Sequence, residues 1–221
     1  MASTNRTALI TGSTRGIDLA FANHYAKADW NVIGTARTNN NAEKLNALAP
    51  FKIVVIDTSY ETSILEAARQ LEVQPIDLLI NNAVIGIPSE LETGTKDALM
   101  KRFEVNTAGS FLVTRTLLPN LQLTTKTNGG ASVVQLSSYL GSIGSFTAKT
   151  TGFFEQAVVS VRPGYVDTDM TEGKAILKPE DSVAAMASLI GKLTHESTGK
   201  FRPSDPVGGA SVVTSFWQAA A

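Results

Sequence analysis

"TALITGSTRGIDLAFANHYAKA", residues 7–28, decides how this chain is read. "TALIT" (7–11) is a short apolar and β-branched run, the composition of a buried strand. Gly12 and Gly16 then punctuate a turn whose backbone can take positive φ and come close to a ligand. Beyond it, Ile17, Phe21 or Ala20, and Tyr25 fall on one face at helical spacing. A strand that hands over to a helix in this way points free N–H groups and the positive end of the helix dipole at the space above the turn, where a pyrophosphate fits. A glycine turn alone is a weak signal, and the strand–turn–helix context raises it above a plain turn. Asp18 stands out within it. A glycine there would allow tight helix–strand packing, whereas an aspartate suits the first turn of a helix but brings negative charge towards the phosphate site.

Outward from this stretch the pattern repeats. Strands are expected at "WNVIGTA" (30–36), "FKIVVID" (51–57), "IDLLINNA" (76–83), "ASVVQLSS" (131–138) and "AVVSVRP" (157–163), with a short one around Lys200 to Arg202. Helices are expected at "NAEKLNALA", "ETSILEAARQL", one long segment over 95–121, and "EDSVAAMASLIGKL" (180–193). Val- and Ile-rich strands separated by helices predict an α/β fold, a doubly wound, Rossmann-like and mainly parallel sheet in a single domain over 1–221.

Composition narrows the function. Of 221 residues 43% are apolar and 18% charged, enough for one sizeable core. Nineteen basic residues stand against 20 acidic ones, so no general attraction to nucleic acid or an anionic membrane is expected. There is no cysteine, which excludes thiol catalysis and cysteine-ligated metal, and His24 and His195 lie too far apart in sequence to suggest a metal site. "MASTNRTALITGS" has too short an apolar run for a signal peptide, and no stretch is long enough to span a bilayer, so a cytoplasmic protein is expected.

Several residues at strand ends can carry chemistry. Arg15 in the glycine turn and Arg37 after the second strand suit a phosphate-bearing ribose, since arginine grips phosphate with a bidentate fork. The second strand ends "GTAR", with no carboxylate to hold a free 2′-hydroxyl, and this favours NADP(H) over NAD(H). Asp57 at the end of the third strand can accept from an adenine amino group or simply cap a helix. Asn81 and Asn82 end the fourth strand, at the edge where open α/β sheets bind ligands.

"TGSTRGI", "NNA", "FEVNTAGSF", "QLSSYLGSIG" and "RPGYVDTDM" occur in the order of the short-chain dehydrogenase/reductase family, which the chain resembles over roughly residues 5–215. The resemblance implies an NADP(H)-type oxidoreductase that transfers hydride to a small carbonyl or from a small alcohol. It implies that Gly12, Arg15, Gly16 and Ile17 cradle the cofactor phosphates, that Arg37 holds the 2′-phosphate, and that Asp57 touches adenine. Asn81 and Ala83 would line the adenosine ribose, and Pro163, Gly164, Val166 and Thr168 would clamp the nicotinamide end. Asn106 would organise a proton-relay water and Ser138 would bind the substrate carbonyl oxygen. Asp18 and Val84 depart from the family pattern, each standing where a glycine is usual.

The largest departure is an absence. The family's acid is a tyrosine whose pKa is lowered by a lysine one helical turn later. Four residues after Tyr25, Tyr60, Tyr139 and Tyr165 come Asp29, Ile64, Ile143 and Asp169. "SFTAK" (145–149) offers Lys149, but with Ser145 in the tyrosine's place. Residues 139–156 can thread a parallel crossover but not a full helix with its approach loop, so an internal deletion is expected, with its seam near Phe154 to Gln156. The helix after strand 5 is therefore expected to be shortened or missing. Three readings stay open: a splice or gene-model variant, a non-redox descendant that serves as a catalytically silent nucleotide-binding or interaction protein, or an enzyme in which Tyr139 or Tyr165 does the acid's work. Homo-oligomers are compatible with the resemblance, but the family-type interface would lose one of its helices, and Val113, Leu117 and Leu118 would become exposed.

Overall fold

The computed structural model describes residues 5–38, 42–87, 92–128, 130–137, 160–172, 174–175, 177–192, 200–201 and 211–214. The strands are β1 (Thr7–Ile10), β2 (Asn31–Ala36), β3 (Lys52–Val55), β4 (Leu78–Asn81), β5 (Ser132–Leu136), β6 (Ser160–Arg162), β7 (Lys200–Phe201) and β8 (Ser211–Thr214). The helices are α1 (Gly16–Lys27), α2 (Glu43–Asn46), α3 (Glu61–Gln70), α4 (Lys96–Arg102), α5 (Ser110–Thr116), α6 (Leu118–Asn128) and α7 (Pro179–Ile190). Among the described residues the strand order is β3-β2-β1-β4-β5-β6-β8-β7. The strands from β3 to β6 run parallel, and β8 lies antiparallel to both β6 and β7.

Alternation along β1 shows why the sheet is covered on both sides. Ala8 and Ile10 face a core shared with Phe21 and Tyr25 of α1 and with Val183 and Met186 of α7. Leu9, between them, faces the opposite core, with Ile64 of α3 and Val113, Leu117 and Leu121 from α5 to α6. Successive strand residues point to opposite faces, so a strand apolar at every position must be buried twice. The sheet grows from β1 towards β2 on one side and towards β4 on the other, which places a topological switch point between β1 and β4, at the end of β1 where the glycine turn begins.

Several expectations are corrected. The long helix over 95–121 is segmented: α4 runs into a π-helical stretch, Phe103–Gly109, then α5, a break at Leu117, and α6. Pro119 has no N–H to donate and so interrupts the ladder at that break. The π-helical stretch is tied elsewhere: Asn106 Oδ1 accepts from the Ile85 N–H at 2.9 Å and its Nδ2 donates to the Ile85 carbonyl at 3.0 Å. Gly109 presses against the segment after β3, where a Cβ would come within 2.7 Å of Thr58. The helix expected behind β2 is the single turn of α2, and β8 was not foreseen. Val113 and Leu117, expected to be exposed, are buried under the sheet; Leu118 is exposed, with Met100, Phe103 and Phe111 on the outer side of the same run. The crossover between β5 and β6 lies almost wholly outside the described residues, and with it the helix expected to be shortened or missing. No described helix is long and apolar enough to cross a membrane.

Candidate functional site

The glycine turn is stitched to its neighbours by hydroxyl groups. Gly12 and Gly16 have φ of 78° and 57°, the left-handed region that an L side chain resists. The Gly12 N–H donates to Thr35 Oγ1 at 2.9 Å and the Ser13 N–H to the Thr35 carbonyl at 2.9 Å, which ties the turn to the end of β2. Ser13 Oγ donates to the Ile10 carbonyl at 2.5 Å and accepts from the Thr35 N–H at 3.2 Å. On the other side Thr11 Oγ1 accepts from the N–H groups of Asn82 and Ala83, both at 3.0 Å, and fixes the exit of β4. Thr11, Ser13 and Thr35 were not singled out from the sequence, where a serine or threonine near a strand end is too common to carry a signal.

The N-cap residue of α1, Arg15, makes no side-chain cap hydrogen bond, which leaves the first N–H groups of the helix without a cap from that residue. Arg37, one residue past β2, is exposed and makes no ion pair with a described residue. Arg15 is exposed too, but its Nη1 is paired with Asp169 Oδ2 at 2.9 Å. Asp57 spends one carboxylate oxygen on the Ser59 N–H at 2.9 Å, the local turn that the plainer reading of this residue allowed. Asn81 is buried, and its amide donates to Thr114 Oγ1 at 2.9 Å, towards α5 and away from the crevice. Its Oδ1 has no hydrogen-bond partner among the described residues. The Asn81 side chain thus fastens β4 to α5, and its backbone and Ala83 are what remain for a ligand.

Asp18 is the unusual group. Its carboxyl accepts from Asn82 Nδ2 in a short hydrogen bond, and a Cβ built on Gly12 would lie 3.2 Å from its Oδ2. The residue keeps partial exposure, but both carboxyl oxygens are turned into the angle between the glycine turn and the end of β4. Burial holds its pKa well above the ordinary carboxylate range, against the opposing effects of the Asn82 hydrogen bond and the Arg15 charge.

The segment after β6 crosses this crevice. Gly164 has φ of 83°, Val166 is buried and pairs with Leu177, and the Pro163 carbonyl accepts from the buried Ser182 hydroxyl at 2.6 Å. Thr168 and Thr171 form a capping box around the turn Asp169–Thr171. Thr168 Cγ2 would lie 3.5 Å from a Cβ on Gly16, and Met170 Sδ 3.7 Å from one on Gly86. Residues 168–170 therefore reach both lips, the glycine turn and the segment after β4. The fold brings together Gly12, Arg15, Gly16, Ile17, Arg37, Ala83, Pro163, Gly164, Val166 and Thr168 around the ends of β1, β2, β4 and β6. Asn106 sits in the π-helical stretch at the far lip, where Ser110 Oγ donates to its carbonyl at 3.4 Å. Ser138 and Tyr139 lie outside the described residues, and so do Ser145 and Lys149.

Residues 6–150 match the short chain dehydrogenase family. The chain is 29% identical over 181 residues to the uncharacterized oxidoreductase YusZ of Bacillus subtilis, covering 75% of this chain and 63% of that protein, so the match leaves more than a third of YusZ uncovered. It is 28% identical to the short chain dehydrogenase gsfK of Penicillium aethiopicum, covering 90% of this chain and 96% of gsfK. That pairing runs over 242 residues, more than the 221 present here, so gsfK contains residues with no counterpart in this chain. Among solved structures, the NADPH-bound carbonyl reductase from chicken fatty liver superposes with a TM-score of 0.75 at 24% identity, over 87% of this chain and 94% of that one.

Proposed function

This chain is a member of the short-chain dehydrogenase family of oxidoreductases, and from that premise we propose that it binds NADP(H) in preference to NAD(H) and transfers hydride slowly, to a small carbonyl compound or from a small alcohol. The observation that carries the reading is the glycine turn at the switch point, with its two left-handed glycines, an α1 N-terminus that its N-cap side chain does not cap, and beside it Arg37, which forms no ion pair with a described residue. These groups fit a dinucleotide: N–H groups and helix dipole for the pyrophosphate, a guanidinium for a 2′-phosphate.

In this reading Gly12, Gly16 and Ile17 receive the pyrophosphate, Arg37 and Arg15 the 2′-phosphate, and Asp57 and Ala83 the adenosine. Arg15 has to exchange Asp169 for phosphate to do so. Pro163, Gly164, Val166 and Thr168 hold the nicotinamide end through the self-tied segment after β6. When bound, a nicotinamide supplies or accepts the hydride. Ser138 is assigned the substrate oxygen. Asn106 is assigned the relay water, with its side chain already spent on Ile85. No tyrosine is followed by a lysine four residues later, so the proton has no tuned phenol to come from.

A second reading is favoured by that same missing pair: a nucleotide-binding protein without redox turnover. Fluorescence titration with NADPH, followed by turnover against a panel of ketones, separates the two. Binding with slow, measurable turnover supports the first. Binding without turnover supports the second, and failure to bind NADPH or NADH rules out both.

A further inference from the structure

We propose that dinucleotide binding by this chain is proton-linked through Asp18: the cradle takes the dinucleotide most tightly while the Asp18 carboxyl carries its proton, and loosens as pH rises. The inference rests on the reading that a dinucleotide binds at the glycine turn.

The geometry comes first. Asp18 occupies the first turn of α1, where the pyrophosphate is to sit, and its side chain folds into the protein and away from solvent. One carboxyl oxygen is held by Asn82 and the other is wedged beside Gly12 and Ala83. Among the described residues, that corner supplies one side-chain hydrogen-bond donor to the carboxyl, Asn82, and no ion pair to it. β1 and β4, which form its floor, carry no charged residue, and Asn82 and Ala83 are neutral. The guanidinium of Arg15 faces the corner from the turn, but it is exposed and already bonded to Asp169 from the segment after β6. α7, packed against α1, contributes Ser182, Val183 and Met186 to buried surface, and its charged residues Glu180 and Asp181 are exposed. α2 offers only exposed Glu43 and Lys44. Among the described residues, the groups that favour an ionised Asp18 are the Asn82 hydrogen bond and the Arg15 charge, and burial outweighs both. Burial accordingly keeps its proton bound above the ordinary carboxylate range.

A dinucleotide brings a second anion to the same helix end. A like charge nearby disfavours the ionised carboxyl further, so the bound state holds the Asp18 proton more firmly than the free state does. Linkage fixes the sign. A group whose pKa is raised by a ligand takes up a proton on binding, so affinity is highest below the free-state pKa. It falls as pH rises through that value, by up to about tenfold per pH unit for one proton, and levels off above the bound-state pKa. In its protonated form Asp18 can also donate a hydrogen bond, which an ionised carboxylate cannot. A charged aspartate at this position would simply repel the cofactor; an enclosed one makes the repulsion conditional on pH.

The test measures NADH and NADPH dissociation constants from pH 5 to 9 for the full chain and for Asp18→Asn, which keeps the acceptor for Asn82. NADH has no titrating 2′-phosphate, so its profile isolates the protein's contribution. The expected result is an affinity for NADH that falls with pH in the parent protein and changes less in Asp18→Asn. Calorimetry in two buffers of different ionisation heat is expected to show proton uptake on binding by the parent alone. In the free protein, the Asp18 carboxyl carbon is expected to titrate above the usual value of about 3.9. Equal pH profiles in the two proteins, or an Asp18 carboxyl that titrates in the ordinary range, would overturn this inference and leave the dinucleotide reading standing. Absence of NADH and NADPH binding at every pH, in the parent and in Asp18→Asn, would overturn the dinucleotide reading and this inference with it.

Discussion

The two lips of the crevice are built by different means. The lip formed by β1, β2 and β4 is held by buried or half-buried hydroxyl contacts, with Thr11, Ser13 and Thr35 joining three strands to one turn. The strap after β6 is tied mainly to itself, through Thr168, Thr171 and the Ser182–Pro163 hydrogen bond. Among the described residues, its polar link to the opposite lip is one exposed pair, Arg15–Asp169. Breaking a buried hydrogen bond and leaving one partner unsatisfied costs about 1–3 kcal/mol, whereas an exposed ion pair contributes about 0–1 kcal/mol. The first lip is thus a fixed template, and the strap can move relative to it at little cost. The difference suits a site that must first recognise a phosphate and then cover it. It also matches the proposed separation between recognition of a cofactor and a tuned proton donor, for which the sequence offers no Tyr–Lys pair at the four-residue spacing.

The sharpest way to test that separation is turnover. General acid catalysis is worth about 10²–10⁴-fold, so the proposed enzyme should reduce ketones well below the ordinary range, on the order of 1 per second. Steady-state assays with NADPH check this. A rate in the ordinary range would show that another group supplies the proton, and Tyr139→Phe and Tyr165→Phe would identify which; Tyr165 is exposed in the strap and Tyr139 lies outside the described residues. Next in size is Arg37→Ala. A charge-assisted contact to phosphate is worth about 1.5–3 kcal/mol, so NADPH affinity should fall tenfold or more while NADH affinity barely changes. Unchanged NADPH affinity would remove the basis for the NADP preference. Thr35→Val then probes the template itself. It keeps the shape but removes the acceptor of the Gly12 N–H, and should destabilise the fold by about 1–3 kcal/mol, read by thermal or denaturant melting.

Much of this architecture was legible in the sequence because burial on both faces leaves a plain trace. The apolar run "LLIN" is an interior parallel strand buried at every position, while "KIVV" is parallel too but ends the sheet among the described residues and buries one residue. The glycine turn was legible because positive φ restricts the residue choice. What could not be read depended on partners distant in sequence. The segment 95–121 reads as one helix by periodicity, and its interruption comes from Asn106 reaching Ile85 and from Gly109 meeting Thr58. Periodicity alone leaves Val113 and Leu117 without an assigned cover once the helix after β5 is expected to be shortened or missing, but their neighbours are the sheet and α3. Asp18 is the instructive case. Its charge and its helix position were visible, and both pointed to repulsion. Its enclosure, which raises its pKa above the ordinary carboxylate range, depends in part on Asn82 lying just past the end of another strand.

The smallest effect is expected at the contact that bridges the two lips. Arg15 and Asp169 are both exposed, and solvent screens their attraction, so Asp169→Asn should lower the melting temperature by no more than about 4 °C, consistent with a loss of at most about 1 kcal/mol. Its effect on ligand binding has the opposite sign. In the free protein Asp169 competes with phosphate for the Arg15 guanidinium, so releasing Arg15 should tighten NADPH binding a few-fold. Part of the gain should appear as faster association, because a carboxylate is removed from the mouth of an anion site. The gain should shrink as salt is raised, since the Debye length falls from about 10 Å at 0.1 M to about 3 Å at 1 M. Stopped-flow association rates at low and high salt, for the parent and for Asp169→Asn, decide the matter. A weakened affinity for NADPH would mean that Asp169 orients Arg15 towards the phosphate and does not withhold it, and the contrast between a fixed template and a loosely linked strap would have to be redrawn with this pair as part of the template.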